Sequence, residues 1–406
     1  EKYTYDCKPL HKYAISLGLD GVSGIKSDLM LSAYLLNPSA SQYDILKLAS
    51  IYGVPVPSFD EEILNCVSVI PSLEDILSKE IEDNNQSKLL DEIEIPLAKI
   101  LADMEYIGFY VDKTGIEEYG LQLQEVIDQL TASIIEMVGY EFNINSPKQL
   151  GKALFDDLNL PHGKKTKSVW STNAEVLESL RFLHPVVESI LQYRTLAKLK
   201  STYCDGLVKV IGDDGRIHSN FNQTETRTGR ISSTEPNMQN IPVRTDIGKE
   251  LRKFFSAENG VLVDADYSQI ELRVLAHVAG DEVMAEDFRE NRDIHTSTAS
   301  RVFGVTTDLV TPQMRSSAKA VNFGIVYGIG AFSLSKDIGV TRKEADDYIK
   351  EYLKNYSGVD RYMKDTVEKA KELGYVETIF GRRRYLPELK SSNFNMRSFG
   401  ERVARN

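Results

Sequence analysis

The stretch RSSAKAVNFGIVYG, residues 315–328, decides how this chain is read. Arg315, Lys319, Phe323 and Tyr327 recur at every fourth position, two cations followed by two aromatics. Residues four apart share a helix face. At about 1.5 Å of rise per residue the series runs ~18 Å, drifting by about 40° per step. Thr311 and Pro312 supply a helix start just upstream. Both cations therefore fall in the N-terminal half, where the helix dipole also favours anions. Arginine suits bidentate phosphate recognition and lysine supplies a compact charge. Gly324 and Gly328 accompany the rings, and their missing side chains would let a flat ligand approach. A triphosphate at one end and a base with its sugar at the other match this order of chemistries. A core helix with two surface cations would share the spacing, but AVNFGIVYG is apolar nearly all round, unlike a simple surface helix.

Upstream, LVDADYSQIELRVLAH (262–277) carries a second signal. GVLVDADYSQ reads as a short buried strand ending in carboxylates, with Asp264 and Asp266 two apart on one face. Ser268 and Glu271 fit a capping box for the helix that follows. Capping accounts for those two residues but leaves Asp264, Asp266 and Tyr267 unexplained. An acid at a strand end beside irregular backbone suits Mg²⁺, which takes a few carboxylates, a carbonyl, water and substrate phosphates.

The 406-residue chain has 42% hydrophobic and 27% charged residues, enough for roughly two or three ordinary globular domains of about 150 residues each. No apolar run approaches the ~18 residues of a membrane span. EKYTYDCKPL is no signal peptide and reads as the middle of a domain. Cys7, Cys66 and Cys204 lie far apart with no CxxC, which argues against a disulfide framework or a structural zinc site and fits a reducing cytoplasm. The net charge of −12 argues mildly against a polyanionic partner, yet a local basic groove can coexist with an acidic exterior. GKKTK (163–167), RTLAKLK (194–200) and GRRRYLP (381–387) are basic clusters, each read alone as a solvated patch.

Residues 1–90 mix short helices with turns: SDLMLSAYLLNP is a helix stopped by Pro38, and VPVPSFDEE a loop. Residues 91–212 are strongly helical. Within 113–139, Ile116, Tyr119, Leu123, Val126, Leu130, Ile134 and Val138 form one stripe. Ser146 with Pro147, and Thr172 with Glu175, mark two further helix starts. These long helices with scattered lysines suggest an arm that grips something. After Gly212, RIHSNFNQ alternates like a strand, and helices then dominate to the end. Strands holding acids between helical subdomains give an α+β reading.

DYSQIELRVLAH and RSSAKAVNFGIVYG closely resemble two signature motifs of family A DNA polymerases, of the bacterial DNA polymerase I kind. TETRTGRISSTEPNMQNIPVR (224–244), DIHTSTA (293–299), FNINSPKQL (142–150) and FNMRSFGERVARN (394–406) are similar to further family segments, so the resemblance runs over about 90–406. It implies a right-hand polymerase fold, with thumb at 91–212, palm at 213–285 and fingers at 286–406. By position, Asp266 resembles the first metal-binding aspartate, with the Tyr267 carbonyl as a further ligand of one of two Mg²⁺ ions. Arg315 and Lys319 are expected to hold the triphosphate, with His295 beside them and Gln269 close by. Phe323 would pack on sugar and base, and Tyr327 would stack at the template position. Glu271 resembles the steric gate against a ribose 2′-hydroxyl. Arg230, Asn237, Asn240 and Arg244 would track primer–template DNA, and Arg402 and Asn406 would lie near the template. The implied activity is DNA-templated addition of deoxynucleoside triphosphates to a primer by a cytoplasmic, nucleoid-associated monomer with no membrane contact.

Two departures are expected to matter. The family's second carboxylates lie in an HDE-type motif downstream of ERVARN, and no HDE occurs in the sequence. The chain as given would then bind DNA and nucleotide weakly and catalyse poorly. Residues 1–90 resemble the later part of a 3′–5′ exonuclease domain, with Asp6 and Asp28 at family positions but no tyrosine–aspartate partner motif. That partial, degenerate domain is expected to be structural rather than proofreading. A single-subunit RNA polymerase is the rival enzyme, opposed by Glu271 and by Phe323 where tyrosine would stand. A silent primer–template-binding fragment is the rival outside catalysis.

Overall fold

Two aspartates organise the first unit. In the computed structural model, which describes residues 1–162, 165–166, 169–242 and 246–405, β1 (Lys2–Thr4) pairs parallel with β2 (Ile25–Asp28). Asp6 caps α1 (Cys7–Ser16), accepting from Lys8 N at 3.1 Å. Asp28 is buried and caps α2 (Leu29–Leu36), accepting from Leu31 N at 3.0 Å and Cys7 N at 2.7 Å. One carboxylate thus fixes two helix starts, and burial pushes its pKa up to about 6 against those bonds. α2 ends before Pro38, and 54–60 is loop, as the sequence predicts. Leu29, Leu31 and Leu35 pack with Leu73 and Leu77 of α3 (Glu62–Asp83) in one core.

α4 (Ile95–Ile107) carries that core to the next. After β3 (Phe109–Tyr110) comes α5 (Lys113–Val138), capped by Asp112, which accepts from Gly115 N at 3.0 Å. The predicted stripe holds at Ile116, Leu123 and Ile134, with Tyr119, Leu130 and Val138 packed partly against it. Val126 is 42% exposed and Ile127 takes its place. Steps of 123, 127, 130 and 134 stay closer to one 3.6-residue stripe than steps through 126 do. Ser146 caps its helix as expected, accepting from Gln149 N at 3.4 Å. The Thr172–Glu175 capping box does not form: Asn173 caps α6 (Ala174–Leu180), accepting from Val176 N at 3.0 Å. Thr172 is buried instead and receives Arg194 of α7 (Pro185–Leu199) on its carbonyl and hydroxyl.

RIHSNFNQ forms two short strands, β4 (Arg216–Ile217), antiparallel to β3, and β5 (Asn220–Asn222), antiparallel to β6 (Ser232–Thr234). The expected strand at 260–269 does not form. Val261 and Val263 are 83% and 87% exposed, and no described strand pairs with the segment. A strand is stable only when its backbone groups find a ladder, and hydrophobic character cannot replace the missing edge. The described strands form two-stranded pairs only, and the fold is dominated by helices.

A third core gathers α8 (Ile270–Ala279), α9 (Glu282–Arg289), α10 (Ile294–Phe303), α11 (Pro312–Val326) and α12 (Arg342–Asn355) around Leu272, Val321, Tyr352 and Tyr356. α13 (Ser357–Leu373), the pair β7 (Tyr375–Glu377) and β8 (Arg383–Tyr385), and α14 (Phe394–Arg405) complete the chain. No described helix is long and apolar enough to cross a membrane. Buried carboxylates tie the units together. Glu105 takes Lys8 Nζ at 2.6 Å, Lys12 Nζ at 3.2 Å and Phe221 N at 2.8 Å, while Glu94 pairs with Arg382 and accepts from Gln223 Nε2 at 3.0 Å.

Candidate nucleotide and primer-template site

Thr311 opens α11 by accepting from Met314 N at 3.2 Å, with Pro312 as its first residue. The stripe then forms as predicted: Arg315, Lys319 and Tyr327 are exposed, and Phe323 is half-buried between them. The Phe323 and Tyr327 rings lie within 14° of parallel, centroids 6.5 Å apart. The glycines have other duties than the sequence suggests. A Cβ at Gly324 would stand 2.7 Å from Ile329 Cγ2, so this buried glycine admits the returning chain, not a ligand. Gly328 has φ +66° beyond the helix end, and its missing Cβ would lie 3.3 Å from the Arg402 carbonyl.

Arg315 is already engaged. Its Nε and Nη2 donate to Asp293 Oδ1 and Oδ2 at 3.1 and 2.7 Å. Asp293 also caps α10, accepting from Thr296 N at 2.7 Å. Burial would raise the Asp293 pKa, but the bonds from Arg315 and Thr296 outweigh it and hold the carboxyl far below its usual range. Lys319 makes no ion pair among the described residues. His295 is 3% exposed, with its ring 5.8 Å from that of Phe323. Burial lowers its pKa, Arg315 and Lys319 add to that, and Asp293 opposes them, so the imidazole is neutral near pH 7.

Glu271 closes the other end of the stripe. Tyr327 donates its hydroxyl to Glu271 Oε1 and Oε2 at 2.9 Å each, and Arg230 Nη2 donates at 3.0 Å. Glu271 therefore makes no capping box with Ser268. α8 starts instead on Gln269, whose φ of 51° and ψ of 40° are left-handed, and no side chain caps it. The Ser268 carbonyl accepts from Arg273 Nε at 2.9 Å.

Asp264, Asp266 and Tyr267 lie on the exposed, unpaired segment that leads to Gln269. Among the described residues no group of three or more His, Cys, Asp or Glu side chains gathers as a metal site. The donors themselves fit Mg²⁺, being two exposed carboxylates two residues apart, without ion pairs among the described residues, beside irregular backbone. Asn237 is exposed and caps its own turn, accepting from Gln239 N at 3.0 Å. Asn240 is exposed while its carbonyl takes the Tyr203 hydroxyl. Arg402 is exposed on α14, 6.0 Å from the centre of the Phe399 ring. Arg244 and Asn406 lie outside the described residues.

The structure thus joins Arg230, Glu271 and Tyr327 by hydrogen bonds and sets buried His295 against Phe323 behind the stripe that also carries Arg315 and Lys319, while Asp266 makes no ion pair among the described residues. The sequence reading did not single out Asp293, Thr298, Asn322 or Tyr356, although DIHTSTA contains the first two and RSSAKAVNFGIVYG contains Asn322. Several cations of the basic clusters are held in ion pairs. Arg382 pairs with Glu94, Arg383 with Glu377 at 2.6 Å and Lys200 with Asp205 at 2.9 Å, and most of GKKTK is outside the described residues.

Known proteins carry the same arrangement of sequence and fold. The sequence model of DNA polymerase family A matches residues 113–406. The chain is 46% identical to DNA polymerase I of Bacillus subtilis (strain 168), over all of this chain and 48% of that protein. It is also 46% identical to DNA polymerase I of Geobacillus stearothermophilus, over all of this chain and 49% of that one. It therefore spans about half the length of these curated relatives. Among solved structures it is similar to the POL domain of Pol1 from M. smegmatis in complex with DNA primer-template and dNTP. That match has a TM-score of 0.90 and 37% identity, covering all of this chain and 72% of the other. The fold is that of a polymerase domain, and the chain belongs to DNA polymerase family A.

Proposed function

We propose that this chain holds a deoxynucleoside triphosphate along α11 and a primer–template across the 230–240 segment, as part of a DNA-directed DNA polymerase. The observation that carries the reading is the stripe itself: Lys319 exposed and without an ion pair among the described residues, Arg315 next to it on a half-exposed ion pair, two parallel rings, and Glu271 held at the far end by Tyr327. Lys319 and Arg315 bind the phosphates, Arg315 exchanging Asp293 for them. Phe323 packs on sugar and base, Glu271 fills the space beside the sugar, with Gln269 at the turn before it, and Tyr327 occupies the template side. Arg230, Asn237, Asn240, Arg244, Arg402 and Asn406 follow the primer–template. The work of these groups is positioning and charge stabilisation. Asp266 and the Tyr267 carbonyl would hold Mg²⁺, two ions serving the reaction, which supplies charge stabilisation at the attacking and leaving oxygens.

In this reading 91–212 is the thumb, 213–285 palm and 286–406 fingers; the buried cores run across both bounds, one from Val111 to Leu251 and the next from Leu272 to Val359. Residues 1–90 form a structural, exonuclease-like unit, because Asp6 and Asp28 serve as helix caps. The protein acts as a cytoplasmic monomer. Primer extension with four deoxynucleotides and Mg²⁺ tests the proposal. Extension supports it; binding of primer–template with steep salt dependence but no extension would make this chain a binding fragment; neither would overturn it.

A further inference from the structure

Behind the exposed stripe, buried polar side chains run in a line from His295 into the core. Asn322 Nδ2 lies 3.0 Å from His295 Nδ1. Thr298 Oγ1 is 3.2 Å from Asn322 Oδ1 and 3.0 Å from the Tyr356 hydroxyl. Arg301 Nη1 donates to that hydroxyl at 2.9 Å and forks onto Asp287, with Nη2 to Oδ1 at 3.0 Å. Asn322, Thr298, Tyr356 and Asp287 are wholly buried. A solvated surface explains none of this; every proton in the line must be accounted for.

The line has a direction. A guanidinium only donates and its carboxylate partner only accepts. Tyr356 therefore accepts from Arg301 and gives its own proton to Thr298, its other neighbour. Thr298 in turn donates to Asn322 Oδ1, which leaves Nδ2 facing His295 Nδ1. An N–H aimed at Nδ1 requires a lone pair there, so the neutral ring carries its proton on Nε2. Turning the amide over would reverse this. Thr298 would then accept from Nδ2, and either its own proton or that of Tyr356 would lack an acceptor in a sealed site, which is costly.

We infer that Asn322, Thr298 and Tyr356 are positioning residues that fix His295 as the Nε2–H tautomer, so that it presents a neutral donor to a phosphate oxygen of the nucleotide held by Arg315 and Lys319. The phosphate contact rests on the function proposed above; the tautomer does not. The two cations attract an anion from many directions, whereas one oriented N–H selects a geometry. The anchor of that geometry is the Asp287–Arg301 ion pair, at the other end of the line from His295.

Long-range ¹H–¹⁵N correlation spectra of the protein labelled in its six histidines test this, with the His295 signal assigned by its loss in His295→Gln. The unmodified protein is expected to show Nε2–H at His295; Nδ1–H there overturns the inference with no variant needed. Tyr356→Phe should convert the signal to a tautomer mixture. Asn322→Asp, whose carboxylate can only accept, should move the proton to Nδ1. Tyr352→Phe is the control, because the buried Tyr352 hydroxyl has no partner among the described residues, though its ring lies 4.8 Å from that of Tyr356. Nε2–H persisting in both Tyr356→Phe and Asn322→Asp would also overturn the relay. Adding a deoxynucleoside triphosphate should shift the Nε2 resonance of the unmodified protein. A fixed Nε2–H that ignores nucleotide would leave the relay standing and remove the phosphate contact.

Discussion

Tyr327, at the end of α11, donates its hydroxyl to both carboxylate oxygens of Glu271, in the first turn of α8, at 2.9 Å each. Arg230 holds the same carboxylate from the opposite chain segment at 3.0 Å. A carboxylate with two anchors keeps one position, and a filter against an extra hydroxyl needs a fixed wall. Glu271→Ala is therefore expected to raise ribonucleotide use relative to deoxynucleotide by at least about tenfold, the equivalent of ~1.4 kcal/mol. Tyr327→Phe leaves the wall but loosens it and should move the ratio the same way by less. Competitive incorporation measures both, and an unchanged ratio in Glu271→Ala removes the gate.

Asp293 and Arg315 form a half-exposed pair that solvent screens, so its net worth is about 0.2–1 kcal/mol. If Arg315 must leave Asp293 to reach phosphate, Asp293→Asn should tighten deoxynucleotide binding about two- to fivefold while preserving the cap on α10, because asparagine caps well. Weaker binding would mean that Asp293 orients Arg315 instead. The pair also has a pH signature. Asp293 has its pKa depressed in the folded state, so it binds fewer protons there than when unfolded. Its stabilisation is complete above the ordinary carboxylate pKa, about 3.9, and is lost as pH falls below that towards the folded value. In urea unfolding, the gap between the unmodified protein and Asp293→Asn should be present at pH 7 and shrink below about pH 4.

Lys319 has no such competitor among the described residues. Lys319→Ala should raise the apparent nucleotide KM or lower kcat, by about tenfold for one charge-assisted contact, with primer–template affinity unchanged. An effect confined to DNA affinity would contradict the triphosphate assignment.

Asp266→Asn should abolish incorporation in a polymerase that contains this domain and leave primer–template affinity within about twofold, because phosphate contacts dominate that affinity. Undiminished turnover would take the metal role from Asp266.

What the sequence made legible was what depends on near neighbours. The Arg315–Tyr327 stripe follows from a four-residue spacing, the Thr311–Pro312 start from cap chemistry, and the α5 core from a 3.6-residue period. Errors of one residue, Asn173 for Thr172 and Ile127 for Val126, arose where adjacent residues were both eligible. Larger errors came from partners far along the chain. The 260–269 segment has strand composition but no described partner, and Ser268 lost its capping box because Glu271 serves Tyr327, 56 residues away. Gly324 looked like room for a ligand and is filled by Ile329. Asp293 and the line from Asn322 to Asp287 join residues 14 to 58 apart, which no local pattern announces.

Glu105 offers the stability counterpart. It is buried on α4 and receives Lys8, Lys12 and the Phe221 amide, so one carboxylate joins the first unit to the strand pair of β5 and β6. Burial would raise its pKa, but the bonds from Lys8 and Phe221 outweigh it and keep the group ionised. Removing the charge leaves Lys8, itself largely covered, without a counter-ion. Glu105→Ala should cost about 3–5 kcal/mol, as expected for one half of a buried pair, and Glu105→Gln less, because its carbonyl still accepts from Phe221 N. With the folded pKa depressed, this stabilisation is present above about pH 4.3 and fades as pH falls further. Urea unfolding would read the loss, and limited proteolysis would show where it acts. Cleavage should appear first between residues 1 and 108 if Glu105 is the joint, whereas a Glu105→Ala protein as stable and as protected as the original would show that the apolar cores hold the units together without it.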